Sequence, residues 1–152
     1  MNIEIAQKTD LSEILNLQKL AFYSEAAACN DFTIPPLVQT IESVEEEFIR
    51  MTFYKTVSEG SIIGSVRVYT ENDTCFIGRL IVHPDFQNRG IGKQLMKHVE
   101  KEFESCGRFE LFTGKHSKRN IYFYSSLGYR IFKEEKINDK LSFVYFHHGL
   151  NG

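Results

Sequence analysis

Between Gln87 and Lys93 the chain reads Gln-Asn-Arg-Gly-Ile-Gly-Lys, and the residues on either side give that run its chemical meaning. Before it, Leu80, Ile81 and Val82 are the branched, apolar end of a strand. His83-Pro84-Asp85-Phe86 leaves that strand, because Pro84 has no N–H for a ladder. After it, Ile91, Leu95, Val99 and Phe103 recur at helical spacing. Glycine is a poor helix residue, so two of them in a first turn need a reason. A helix N-terminus offers unpaired N–H groups and a partial positive charge, and glycine lets a phosphate approach without meeting a Cβ. Arg89 and Lys93 add positive charge at the same place. The chemistry predicted is capture of a pyrophosphate by Gln87, Asn88, Arg89, Gly90, Ile91, Gly92 and Lys93.

Three nucleotide-binding patterns compete for this run. A Walker loop requires Gly-x-x-x-x-Gly-Lys-Ser/Thr, but Gln87 holds the first Gly position and Gln94 follows Lys93. A dinucleotide fingerprint requires a third glycine where Leu95 stands, and Glu110 about 20 residues on does not replace it. The third pattern, Gln/Arg-x-x-Gly-x-Gly/Ala after a strand ending in Val-x-Pro, is met at every position. It resembles the acyl-CoA loop of the GNAT superfamily of N-acetyltransferases. A second run, Asn120-Ile121-Tyr122-Phe123-Tyr124-Ser125-Ser126-Leu127-Gly128-Tyr129, resembles that family's Asn, aromatic-Tyr, Leu-Gly-Phe/Tyr motif. The close resemblance covers about Arg79 to Tyr129.

The resemblance implies acetyl-CoA as acyl-donor cosubstrate, with Leu80, Ile81 and Val82 along it and the glycine loop on its phosphates. It implies that Asn120 contacts CoA and that Tyr124 protonates the departing thiolate. Some members carry the Asn seven residues before the Tyr, where Ser117 stands here; Asn120 is four before. The chemistry accounts for these parts. An alkyl ammonium, pKa about 10, must lose a proton before it attacks a thioester. The oxyanion formed needs a donor, and a free backbone N–H near Val82 at a splayed strand end supplies one. Pantetheine amides can pair with an open strand edge as an added strand does. For the general base Glu25, Glu71, Glu110 and a water chain all remain open, since Phe76-Ile77-Gly78-Arg79 lacks the strand acid of some members. His83 reads as a loop residue beside Pro84, and His147-His148 has no partner ligands, so no metal is expected.

The acceptor side, by the same resemblance, is formed by the first two helices and their loop. Between Tyr23 and Ile49 lie Glu25, Asp31, Glu42, Glu45, Glu46 and Glu47, with no Lys or Arg. Acids there attract a cationic amine. Glu45-Glu46-Glu47 reads as a solvated helix face, whereas Glu25 and Asp31 fall in an irregular stretch and are the expected acceptor-binding residues. The expected function is N-acetyl transfer from acetyl-CoA to a small cationic amine or a peptide or protein amine. A catalytically silent acyl-CoA-binding sensor or interaction domain is the rival from another class.

These groups need a scaffold. The 152 residues suit a single domain, 1–152, with a sizeable core. A hydrophobic fraction of 42% and a charged fraction of 25% are ordinary for a soluble globular chain. With a net charge of −2 and no basic stripe, nucleic acid is not an expected partner. No apolar run spans a membrane and no signal peptide is evident, so a cytoplasmic monomer or homodimer is expected. Cys29, Cys75 and Cys106 show neither disulfide nor zinc spacing.

Alternation predicts strands at Asn2–Ala6, Met51–Val57, Ser61–Tyr69, Thr74–Val82, Arg108–Thr113, Tyr129–Ile137 and Leu141–His147. Ser58-Glu59-Gly60 and Glu71-Asn72-Asp73 are turn chemistry that makes the second to fourth an antiparallel meander. Helices are predicted after an Asp10/Glu13 capping box, from about Leu37 to Phe48, from Gly90 to Cys106 and from His116 to Leu127. Tyr23 to Pro36, ending in Ile34-Pro35-Pro36, is predicted to be irregular. The architecture expected is a mixed α/β (α+β) domain with a mostly antiparallel sheet of about seven strands. One parallel pair lies at its centre, helices flank it, and a crevice opens at the carboxyl ends Val82 and Thr113.

Overall fold

The computed structural model describes residues 2–149. Its twelve elements are β1 (Ile3–Ile5), α1 (Leu11–Cys29), α2 (Pro35–Val38), α3 (Ile41–Arg50), β2 (Thr52–Ser58), β3 (Ser61–Glu71) and β4 (Thr74–Val82), then α4 (Ile91–Glu102), β5 (Arg108–Gly114), α5 (Lys118–Ser126), β6 (Arg130–Lys136) and β7 (Ser142–His148). The strands form one seven-stranded sheet in the order β1-β2-β3-β4-β5-β7-β6. Every neighbour is antiparallel except β4 and β5, which run parallel. That is the expected architecture. The meander turns have both central residues at positive φ, Glu59 (50°) with Gly60 (81°) and Asn72 (49°) with Asp73 (68°). Such turns match the twist of the strands they join.

The N-terminal helices depart from expectation. α1 continues through Glu25 to Cys29 instead of yielding to a loop, because Glu25-Ala26-Ala27-Ala28 are strong helix formers. Asn30, at φ 52°, ends it. Pro35 then occupies the first turn of the short α2, the one helical place where a missing N–H costs nothing. The helix expected from Leu37 starts instead at Ile41, where Thr40 accepts a hydrogen bond from the Ser43 N–H. The capping box at Asp10 and Glu13 is also redirected. Asp10 accepts from the Gln7 N–H and pairs with Lys55 at 2.8 Å, while Glu13 accepts from the Ile62 N–H.

Two apolar clusters pack on opposite faces of the sheet. One joins Leu95, Met96 and Val99 of α4 to Val66, Val68, Ile77, Phe109 and Phe146. The other joins Ile14 and Leu17 of α1 and Val44 of α3 to Phe53, Ile62 and Ile81. Along β4 the side chains on the α4 face are Cys75 and Ile77 before residue 79, and Leu80 and Val82 after it. This change of parity marks a β-bulge. Ser65 pairs with Ile81 and Arg67 with Gly78, so Val66 opposes both Arg79 and Leu80, and Arg79 takes φ 48°.

Candidate active site

The bulge creates the site. β4 and β5 pair only from Thr74 with Arg108 to Phe76 with Glu110; beyond that β5 follows β7 and β4 follows β3. The strands splay, and two cavities of about 830 and 620 Å³ fill the gap and its flanks. Phe22, Glu25, Leu80, Asn120 and Tyr124 line both.

The smaller cavity is walled by the strand end Leu80, Ile81 and Val82, by Gln87, Asn88, Gly90, Ile91, Gly92 and Lys93, and by α5. His83 donates its N–H to the Ile63 carbonyl on β3, at 2.8 Å. Alternation along an extended strand turns the Val82 N–H the other way, into the splay, where β5 no longer offers an acceptor. The Val82 carbonyl, on that same edge, accepts from Gln87 Nε2 at 3.5 Å.

Gly90 caps α4 at φ 81° with no side-chain cap, so the first-turn N–H groups lack a protein acceptor. No atom lies within 4 Å of a Cβ built there, so Gly90 serves the backbone conformation. Gly92 has a different job. A Cβ there would stand 3.3 Å from Phe123 Cζ, so this glycine lets α4 lie close to α5. Ile91 is buried beneath the loop, Lys93 is exposed, and the Arg89 guanidinium lies 5.0 Å from the Phe86 ring centroid. A cation not singled out from sequence joins them. Arg119, in the first turn of α5, donates to Gln87 Oε1 and, at 3.4 Å, to Asn88 Oδ1. The whole is a cradle of N–H groups and cations that suits a pyrophosphate.

Glu25 sits where the cavities meet. Its Oε1 accepts from Ser117 Oγ at 2.5 Å and Asn120 Nδ2 at 3.2 Å. His116 Nε2 approaches Oε2 to 3.0 Å, an ion-pair distance without hydrogen-bond geometry. Asn120 also reaches Thr113 Oγ1, at 3.2 Å. Ser117 and Asn120, the two positions open for the family's Asn, thus converge on one carboxylate. Asp31 is elsewhere. It lines neither cavity, and its Oδ1 accepts from the backbone and hydroxyl of Thr33, closing a turn after α1. Among the acids considered as a base, Glu110 is engaged by Arg108 at 2.8 Å and Glu71 is exposed at the end of β3. His147 and His148 pack against Phe132 and Tyr129.

Tyr124 is 8% exposed and packs against Phe123 and Phe146. Burial pushes its phenol well above the usual range, and the charge of Glu25 adds to the rise. It is therefore a neutral phenol with its face in the apolar core.

The larger cavity holds charges that the sequence did not bring forward. Glu47, expected on a solvated face, turns inward to meet Arg67 Nη1 at 3.3 Å. Arg67 also donates to Gln18 Oε1 at 2.6 Å and lies over Phe53. Arg79 lines the same cavity.

Comparison with known proteins agrees with this geometry. The L-amino acid N-acyltransferase MnaT of Escherichia coli (strain K12) is 25% identical over 142 residues, covering 85% of this chain and 79% of MnaT. The UPF0157 protein YqkA of Bacillus subtilis (strain 168) is 26% identical over 141 residues, covering 93% of this chain but only 40% of YqkA. The chain thus spans less than half of that relative. The PaiA N-acetyltransferase of Thermoplasma acidophilum, solved in complex with coenzyme A, superposes with a TM-score of 0.76 over 95% of this chain and 98% of its own, at 16% identity. No helix among the described residues is long and apolar enough to cross a membrane. The sequence profile of the Acetyltransferase (GNAT) family matches residues 11–129, and the chain belongs to that family of acetyltransferases.

Proposed function

We propose that this chain transfers the acetyl group of acetyl-CoA to a primary amine by direct attack within a ternary complex. One observation carries the reading: two cavities, one with a phosphate cradle and one with acidic and basic groups, meet at Glu25, Leu80, Asn120 and Tyr124. A ternary mechanism needs such a junction, because both substrates must be held at once with their reacting atoms aligned.

In this reading the loop from Gln87 to Lys93, with Arg119, holds the CoA phosphates, and the open edge of β4 from Leu80 to Val82 pairs with the pantetheine amides. Glu25, backed by His116, attracts the acceptor ammonium and receives its proton, directly or through water. The free amine attacks the thioester carbon, and a C–N bond forms. The Val82 N–H donates to the carbonyl oxygen as it gains charge. The C–S bond then breaks, Tyr124 gives its phenolic proton to the departing sulfur, and the second proton shed by the attacking nitrogen as it becomes an amide returns through water to the phenolate. The products are an N-acetylated amine and CoA with a free thiol. The name of MnaT, an L-amino acid N-acyltransferase, supports a small-molecule amine as acceptor.

The test is thiol release from acetyl-CoA across a panel of small amines and peptides, with product mass spectrometry. An acceptor gaining about 42 Da in step with thiol release supports the reading. CoA binding by calorimetry with no turnover across the panel would favour an acyl-CoA-binding domain instead.

A further inference from the structure

We propose that the floor of the larger cavity is a carboxylate subsite in which Arg79 is the contacting guanidinium and the buried Arg67 beneath it adds positive charge, so that the acceptor is an amino acid. The inference rests on the acetyl-transfer reading above and names the acceptor class for that site.

Arg67 is the largest fully buried side chain of the protein, 1% exposed. Its Nη groups are engaged by Glu47 and Gln18, but its Nε has no partner. Gln18 is itself fixed by the Pro36 carbonyl and Gln39, so the guanidinium cannot turn away to find one. Arg79 is more poorly satisfied. Its Nε is buried without a partner, and among the described residues no carboxylate lies within 4.0 Å of it. Both side chains line the larger cavity.

The charge balance is uneven. Glu47 is the carboxylate that acts on both guanidiniums, and the two repel each other. Burial, with that repulsion, draws Arg67 down to about 10. The other acids of this cavity are committed elsewhere: Glu110 to Arg108, Glu25 to Ser117 and Asn120, and Glu71 to solvent at the rim. Arg50 also lines the cavity but is exposed at its rim; of the desolvated groups, two cations face one anion and leave a net charge of about +1. Burying such a charge unpaired is costly, so proteins that keep one have an anion to meet it.

The missing anion is a carboxylate rather than a phosphate. One net positive charge matches one negative charge, and a guanidinium fork donates two parallel hydrogen bonds to a carboxylate. The backbone reinforces the point. Arg79 holds φ 48° without being glycine, a conformation that persists only where the surroundings impose it and that gathers at functional sites. With Glu25 at the cavity junction and the guanidiniums at its floor, the site has one pole for an ammonium and one for a carboxylate. Two residues beyond Arg67 along β3, on the side away from the junction, the stacked rings of Tyr69 and Phe76, 4.9 Å apart, add an apolar wall to the cavity.

The experiment compares phenylalanine and methionine with their primary amides as acceptors, in the wild type and in Arg79→Gln. Wild type should favour the acids by about 10²-fold in kcat/KM, the loss typical when a buried charged partner is removed. Arg79→Gln should cost the acids a similar factor, change the amides by less than about threefold, and leave CoA affinity by calorimetry intact. Amides matching acids in the wild type, or equal losses for both, would overturn the subsite; the wild-type comparison needs no variant to fold. Phosphoethanolamine outperforming every amino acid would overturn the choice of carboxylate. Turnover of other amines with none of either series would overturn the subsite; if the wider panel of amines and peptides is silent as well, the acetyl-transfer reading fails, and phenylalanine and methionine are titrated into CoA-saturated protein by calorimetry. Heat seen in wild type and lost in Arg79→Gln keeps the subsite, and no heat in either refutes it.

Discussion

Glu25→Gln tests the junction most directly, because it removes one charge and almost no volume. The carboxylate is 18% exposed and receives hydrogen bonds from Ser117 and Asn120. A glutamine Oε1 can accept both, so the local frame survives. The structural loss is that of charge assistance on those bonds, about 1 kcal/mol, which lowers Tm by about 2–4 °C in a chain of this size. The functional loss is larger. An ammonium about 4 Å from the carboxylate gains about 4 kcal/mol at an effective dielectric constant of 20, before desolvation is charged against it. Removing one partner of a close charged pair costs about 2–5 kcal/mol, and partial exposure places Glu25 in the lower half of that range. At about 1.4 kcal/mol per decade, kcat/KM for the best amine should fall about 30–300-fold. The assay is steady-state thiol release with amine varied at saturating acetyl-CoA, with CoA affinity measured separately and unchanged. A rise in KM alone assigns Glu25 to holding the ammonium, and a fall in kcat assigns it the proton as well. A kcat/KM within threefold of wild type refutes both roles.

Tyr124→Phe should keep CoA affinity and lower kcat about 10²–10⁴-fold. Because the Tyr124 phenol is raised above 10, its acid form is complete below that value and lost only as pH rises through it, so the wild-type kcat should not fall between pH 7 and 10 through this group. A descending limb below pH 10 that Tyr124→Phe abolishes would count against it. At the loop, Gly92→Val forces its side chain against Phe123 and should weaken CoA binding more than tenfold, whereas Gly90→Ala meets no atom and should cost only the left-handed backbone strain of about 1–2 kcal/mol. Calorimetry ranking Gly90→Ala as the more damaging to affinity would reverse that division of labour. Gly64→Ala puts a Cβ 3.1 Å from Ile91, Leu95 and Thr56 and should cost about 1–3 kcal/mol by overpacking α4 on β3. An unchanged midpoint in urea would show that the three side chains yield freely. Asp31→Asn should leave the acceptor KM within twofold, since that carboxylate closes a turn outside both cavities; a KM rise equal to that of Glu25→Gln would return it to the site.

The sheet was legible because its signals are local. Alternation and two-residue turns need no partner to be read, and the meander β2-β3-β4 followed from them. The helices between Tyr23 and Pro36 were misread because a proline looks like a stop from either side. Pro35 is a start, at N1, and the alanines after Glu25 carry α1 past the point where apolar periodicity fades. That extension of α1 is what holds Glu25 over Ser117 and Asn120, 92 and 95 residues away. Contacts at such separation have no signature in spacing.

The loop from Gln87 to Gly92 could be recognised because backbone N–H groups and glycines do its work in one contiguous stretch. The larger cavity could not, because its cations come from inside strands, where Arg67 and Arg79 look like the outward-facing polar half of an alternation. The bulge was hidden as well. Phe76 and Ile81 are apolar beside Cys75, Ile77, Leu80 and Val82, so the run does not show which set faces α4, and the change of parity at Gly78-Arg79 is visible only in the packing. The bulge has three consequences that belong together. It ends the pairing of β4 with β5, it exposes the Val82 N–H on the open edge, and it holds Arg79 in a left-handed conformation beside Arg67. A strand regular through Arg79 would keep its ladder and lose the junction, so the irregularity in β4 is what opens two adjoining cavities in a seven-stranded sheet.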